Sequence, residues 1–138
     1  MMPAFQLDPC LARDTMSISR LGLCDLRLMN DSRWPWLILV PQRNTITEFH
    51  ELTPLDQTML TFEMGLVSKA LQTAVKADKM NIGALGNIVP MFHLHVVARR
   101  KGDPNWPGPI WGHGTPVPYD AGEAARFADE MRRAILPA

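Results

Sequence analysis

The chain has 138 residues, enough for one ordinary domain with a full hydrophobic core. Apolar residues make up 46% of it and charged residues 20%, the balance of a soluble globular protein, and 14 basic against 14 acidic residues exert no general pull on nucleic acid or an anionic membrane. No apolar run reaches the roughly 20 residues that span a bilayer, the start lacks the basic and apolar regions of a signal peptide, and two cysteines without CxxC spacing fit reduced thiols in a cytoplasm.

Residues 5–12 read as a short helical turn, followed by a turn near Asp14. Residues 15–21 alternate as a strand, with Met16, Ile18 and Arg20 in step. Gly22 allows a tight reversal into residues 23–29, which set Cys24, Leu26 and Leu28 on one face. Asn30, Asp31, Ser32 and Arg33 form a polar turn. Residues 36–40, WLILV, are continuously apolar, as a central strand covered on both faces would be, and Pro41 ends them. Three strands joined by short turns predict an antiparallel meander.

A helix over 54–77 follows, with Thr53 as cap, Pro54 at the first helical position and Asp56 in the first turn. Leu55, Met59, Phe62, Leu66, Ala70 and Ala74 recur at helical spacing, and Leu60, Val67, Leu71 and Val75 widen that stripe. Residues 80–84 read as a short strand, Leu85, Gly86 and Asn87 as a turn, and 89–99 as a further strand. Residues 102–118 are rich in Pro, Gly and Trp and form an ordered loop. A last helix over 120–135 groups Ala124, Phe127, Ala128, Met131 and Ile135.

The strand over 89–99 reads VPMFHLHVVAR and holds two of the chain's 4 histidines. Alternation places Met91, His93, His95 and Val97 on one face and Phe92, Leu94 and Val96 on the other. The second set suits a core under the long helix, which leaves the histidines on an exposed or cleft face. Two imidazoles there lie roughly 7 Å apart. Three readings compete: ordinary half-buried strand histidines; a metal site, with His113 and Asp103 as the further candidates; and chemistry on an anion, with one imidazole as nucleophile or base and phosphate held by the Gly86–Asn87 turn. His50 reads as a solvated surface residue and His113 as an exposed loop residue. The run Arg99, Arg100, Lys101 reads as a solvated strand exit that could attract a polyphosphate. Trp106 and Trp111 are loop anchors or a stacking face for a base.

The segment from Asn81 to Val97 resembles the signature of the histidine triad (HIT) proteins, His-φ-His-φ-His-φ-φ with φ apolar, preceded by an Asn-containing strand and a Gly-Asn or Gly-Gln turn. WLILVP over 36–41 resembles the family's third strand, usually GHxLVIP, and the WPGPIWG stretch resembles a bacterial sub-branch of HIT-type hydrolases. The resemblance implies an α+β, two-layer fold: a five-stranded, mainly antiparallel sheet with one long helix and a C-terminal helix. The chain is then one domain over 1–138, with a core at about 15–100.

The resemblance also implies a homodimer, to which Leu60, Val67 and Leu71 could contribute, and a nucleotide or nucleotide-like phosphate as substrate, with no cofactor or metal. His93 matches the attacking residue, which forms a nucleotidyl-histidine, and His95 the third triad position. Asn81, Gly86 and Asn87 match residues that hold phosphates, and Asn30 lies where the family carries a ribose-binding group. Two positions depart: Met91 stands at the first triad position and Trp36 where the family often has a histidine. A thioether cannot act as a general acid. The expected function is a nucleotide hydrolase or nucleotidyl transferase acting at the α-phosphate; the alternative is a nucleotide-binding regulatory protein with little turnover. A stand-in acid from His113 stays open.

Overall fold

The computed structural model describes residues 3–136. Five strands form one sheet in the order β1-β2-β3-β5-β4: β1 is Thr15–Arg20, β2 Cys24–Met29, β3 Trp36–Pro41, β4 Lys79–Gly83 and β5 Leu94–Arg99. Every neighbouring pair is antiparallel, so the expected meander is present, and β5 inserts between β3 and the edge strand β4. Three α-helices, α1 (Pro9–Asp14), α2 (Pro54–Val75) and α3 (Ala121–Ile135), complete the fold. No described helix is long and apolar enough to cross a membrane.

The N-terminal helix is shifted from its expected place. Asp8 accepts a hydrogen bond from the Cys10 amide and Pro9 opens the helix, so α1 begins later and runs to Asp14, directly into β1, without the expected turn. In β1 the register slips between Ser17 and Ser19, a bulge that leaves Ile18 out of the pairing while its side chain is buried. Cys24, Leu26 and Leu28 do share the core face.

α2 starts as expected: Thr53 Oγ1 accepts from the Asp56 amide at 3.1 Å, and Lys76 ends the helix in the left-handed conformation. Its buried face, however, is Leu60, Val67 and Leu71 with the acids Asp56 and Glu63, whereas Leu55 is 71% and Phe62 65% exposed. Of the expected stripe, Leu55, Phe62 and Leu66 are exposed while Met59, Ala70 and Ala74 pack against the core, and the three residues expected to help form a dimer lie in the chain's own core. The acids explain how a mixed face was buried. Glu63 accepts from the Leu23 and Cys24 amides at 2.8 and 2.9 Å and closes the β1–β2 hairpin, and Asp56 pairs with Arg43 at 2.8 Å. Burial beside Glu63 also pushes the Cys24 thiol far up, so it is an inert core group.

The sheet separates two environments. Leu37, Leu39, Leu94, Val96 and Ala98 face α2 and α3 in the main core. Ile38 and Val40 face the other way, against α1 through Leu11, with Phe5, Leu7 and Met91 around them. Val97 packs there with Trp34 and Ile110. This is why β3 is apolar throughout.

Candidate functional site

The second side of the sheet carries the histidines, and it is covered. His93 is 7% exposed and His95 5%, so where an exposed or cleft face is expected the structure shows a covered one. α1 and the loop over 102–118 supply the cover, which strand alternation alone does not reveal. The expected strand is also shorter: β5 begins at Leu94, so His93 stands just before it. Pro90 has no amide to donate, Gly86 turns the chain at a φ of 73°, and the Phe92 amide is taken by the Ile46 carbonyl at 2.9 Å. The two rings consequently approach more closely than strand spacing predicts, with centroids 4.9 Å apart.

Each imidazole has one defined partner. His93 Nδ1 lies 2.7 Å from the Met91 carbonyl oxygen. A carbonyl only accepts, so Nδ1 carries the hydrogen, and whenever the ring is neutral Nε2 holds the lone pair. The group at position 91 that orients His93 is thus the backbone carbonyl, which any residue supplies, while the Met91 side chain packs in the cluster around Ile38. His95 Nδ1 accepts from the Trp36 indole N–H at 2.9 Å. Its ring lies 5.5 Å from that of Trp111, centroid to centroid. Opposite His95 on β4 stands Gly83, where a Cβ would come within 3.2 Å of the Trp111 ring, so glycine there admits the indole. Burial first, and the neighbouring His93 second, lower the His95 imidazole to about 3. The Trp111 N–H is itself buried without a partner among the described residues.

The loop over 102–118 is held over the site by buried charge. Arg99, only 1% exposed, bonds Asp103 through Nε and a terminal nitrogen at 2.9 and 2.8 Å, and reaches the Gly108 and Pro104 carbonyls at 2.8 and 3.3 Å. Its guanidinium lies 5.4 Å from the Trp106 ring centroid. Asp103 is pulled up by burial, but the Arg99 bonds outweigh this and hold it below the ordinary carboxylate value. Arg99 is therefore no solvated strand exit, and Asp103 is committed to it. At the other end Asp31 pairs with Arg33 at 2.8 Å, Arg33 donates to the His113 carbonyl at 2.5 Å, and the Trp34 indole donates to the Pro104 carbonyl at 3.0 Å. Asp31, too, is pushed up by burial, but the bonds it accepts from Arg33 and from the Val117 amide outweigh this and hold it below its ordinary value.

The remaining expected site residues fall around this centre. Asn81 shares the histidine face of the sheet, and its Oδ1 accepts from Arg99 at 2.9 Å, which turns the amide nitrogen away from Arg99 with both its hydrogens available. Gly86 and Asn87 form the turn before the histidines. Asn30 Oδ1 accepts from the Tyr119 amide at 2.9 Å, so it anchors the chain after the loop, yet it also lines a cavity of about 500 Å³ beside Trp36. His113 lines the same cavity from the loop, as do Arg13 and Met29. The cavity adjoins the histidine pair through Trp36 and is not lined by the histidines themselves. Among the described residues no cluster of three or more His, Cys, Asp or Glu could hold a metal ion.

Sequence reasoning missed the work of Arg99 and Trp36. A signal for the first existed: Arg99 continues the alternation of His95 and Val97, which puts it on the site face. For Trp36 the only hint was an N–H donor placed inside an otherwise apolar strand.

A family model for the HIT domain matches residues 13–102. A histidine triad protein of Sinorhizobium meliloti is 59% identical, with 94% of this chain and 96% of that one covered and a TM-score of 0.93. Histidine triad proteins of Bradyrhizobium japonicum and Marinobacter aquaeolei are 43% and 44% identical, each with 96% of this chain covered, 99% and 97% of their own, and TM-scores of 0.93. Four further structures at 12–18% identity share the fold, with TM-scores of 0.63–0.69. A search of curated proteins returned no match. The chain belongs to the HIT family.

Proposed function

We propose that the protein is a nucleotide hydrolase or nucleotidyl transferase that works at the α-phosphate, with His93 as nucleophile. The observation that carries this is the opposed state of two imidazoles 4.9 Å apart: His93 offers a lone pair at Nε2, and His95, bonded through Nδ1, offers a hydrogen at Nε2. One tetrahedral phosphoryl group can meet both. His93 Nε2 forms a bond to phosphorus, and the bond to the leaving group breaks with its electron pair. Water or another acceptor then attacks phosphorus, the P–N bond breaks, and the acceptor's proton passes to solvent or to the released imidazole. Asn81, Gly86 and Asn87 hold the phosphate, Asn30 and the cavity beside Trp36 take the nucleoside, and a homodimer is the working form. The exposed Leu55, Phe62 and Leu66 on α2 and Ile82 on the edge strand β4 support the dimer.

Met91 favours a second reading. With no acid there to protonate the departing group, turnover of poor leaving groups falls, and the chain could instead bind nucleotide as a regulator. The test is intact-mass trapping after quenching with nucleoside 5′-phosphoramidates and 5′-aryl phosphate esters. The enzyme reading expects a nucleotidyl adduct in the parent and none in His93→Gly, with nucleotide binding retained. A His93→Gly protein that turns over like the parent refutes the nucleophile. Binding with neither adduct nor product in the parent selects the regulatory reading.

A further inference from the structure

We infer that Trp36 is a positioning residue for this chemistry, acting through His95: its indole N–H locks the second imidazole as a neutral ring that carries its hydrogen on Nε2. The inference rests on the proposed reaction only for its kinetic arm. An indole nitrogen donates and never accepts, so the 2.9 Å bond requires an unprotonated Nδ1 on His95. A neutral imidazole must then place its hydrogen on Nε2. Protonating His95 would set one N–H against another and break the bond, so His95 acts as a hydrogen-bond donor to phosphoryl oxygen and not as a cationic acid. Its burial works in the same direction.

The indole is well placed for this role. Trp36 begins β3 and pairs with Val97, two residues beyond His95 on the same face of β5. Its ring lies 5.7 Å from that of His95 and 6.4 Å, edge-on, from Trp34, which is 1% exposed. The Trp111 ring lies 5.5 Å and the His93 ring 4.9 Å from that of His95, so His95 is enclosed by rings. His93 is the titratable side chain in contact with it; no carboxylate among the described residues bonds to either ring. A histidine at position 36 could also bond His95, but it could donate or accept and could itself titrate. Tryptophan removes both freedoms. A third group that fixes an imidazole's tautomer is a general device where imidazoles do acid–base or donor work.

The test is long-range ¹H–¹⁵N NMR of the imidazoles, with steady-state kinetics on a nucleoside 5′-aryl phosphate ester. The parent should show a pyridine-type nitrogen at Nδ1 of His95 and a pyrrole-type one at Nε2, with the reverse in His93. Trp36→Phe should let His95 mix tautomers and lower kcat about tenfold or more with little change in KM. Trp36→His, which restores a donor, should recover part of that loss. A parent His95 protonated at Nδ1 overturns the inference, as does a Trp36→Phe protein with parental kcat and spectrum. If Trp36→Phe fails to fold, the parent spectrum alone decides the tautomer. If the parent spectrum is as expected but no substrate turns over, the failure belongs to the proposed function and the kinetic role of Trp36 falls with it.

Discussion

Acidification from pH 7.5 to 5 should weaken the fold through one residue, His95. Its imidazole falls from an ordinary 6.5 to about 3 in the folded protein because burial penalises the cation. In the unfolded chain the ring takes up a proton as pH drops through 6.5, while in the folded protein it stays neutral until about 3. Between those values the unfolded state binds more protons, so stability is full above the upper value and declines below it. At pH 5 the unfolded ring is almost fully protonated and the folded one almost fully neutral, a difference worth about 2 kcal/mol. Urea unfolding at pH 7.5, 6 and 5 measures it. His95→Gln, whose amide oxygen can still accept from Trp36, removes the titration and should show a correspondingly smaller loss. A His95→Gln protein that loses as much stability as the parent, or a parent His95 ring titrating near 6 by NMR, refutes the reasoning. The carboxylates of Asp31 and Asp103 do not confuse the window, since both are held below their ordinary value and their contribution is lost in more acid solution.

Met91→His should restore a leaving-group acid, raise the rate for poor leaving groups by roughly 10²-fold and flatten the dependence on leaving-group pKa; a series of aryl esters measures this. If His113 already supplies the proton, Met91→His changes little and His113→Ala steepens the dependence instead. Arg99→Lys should destabilise the protein by about 3 kcal/mol, because an ammonium cannot reproduce the paired bonds to Asp103 and the carbonyl contacts that order the loop; thermal unfolding with tryptophan fluorescence reads both effects, and a change below about 0.5 kcal/mol is the result a merely exposed arginine would give. Light scattering across a wide dilution range should report a dimer; a mass near 15.5 kDa at every concentration excludes it.

Local pattern was enough to place most elements. The apolar run of β3, the cap and proline that open α2, and the alternation of Cys24, Leu26 and Leu28 are short-range effects, legible wherever side-chain period and capping chemistry act within a few residues. The HIT resemblance, carried by the two histidines and the strand before them, was legible for the same reason. Local pattern could not say which part of the wide apolar stripe on α2 is buried deepest. That depended on Glu63 reaching the amides of Leu23 and Cys24, forty residues away in the chain and fixed only once the hairpin docks. Nor could it show that the histidine face is covered. The cover comes from α1 and from a loop anchored by Arg99 and by the Asp31–Arg33 pair, contacts made between distant segments. The state of the two imidazoles is likewise tertiary. It follows from a carbonyl and an indole N–H brought to 2.7 and 2.9 Å by the packing of β3 on β5, and no spacing of residues along the chain specifies those distances.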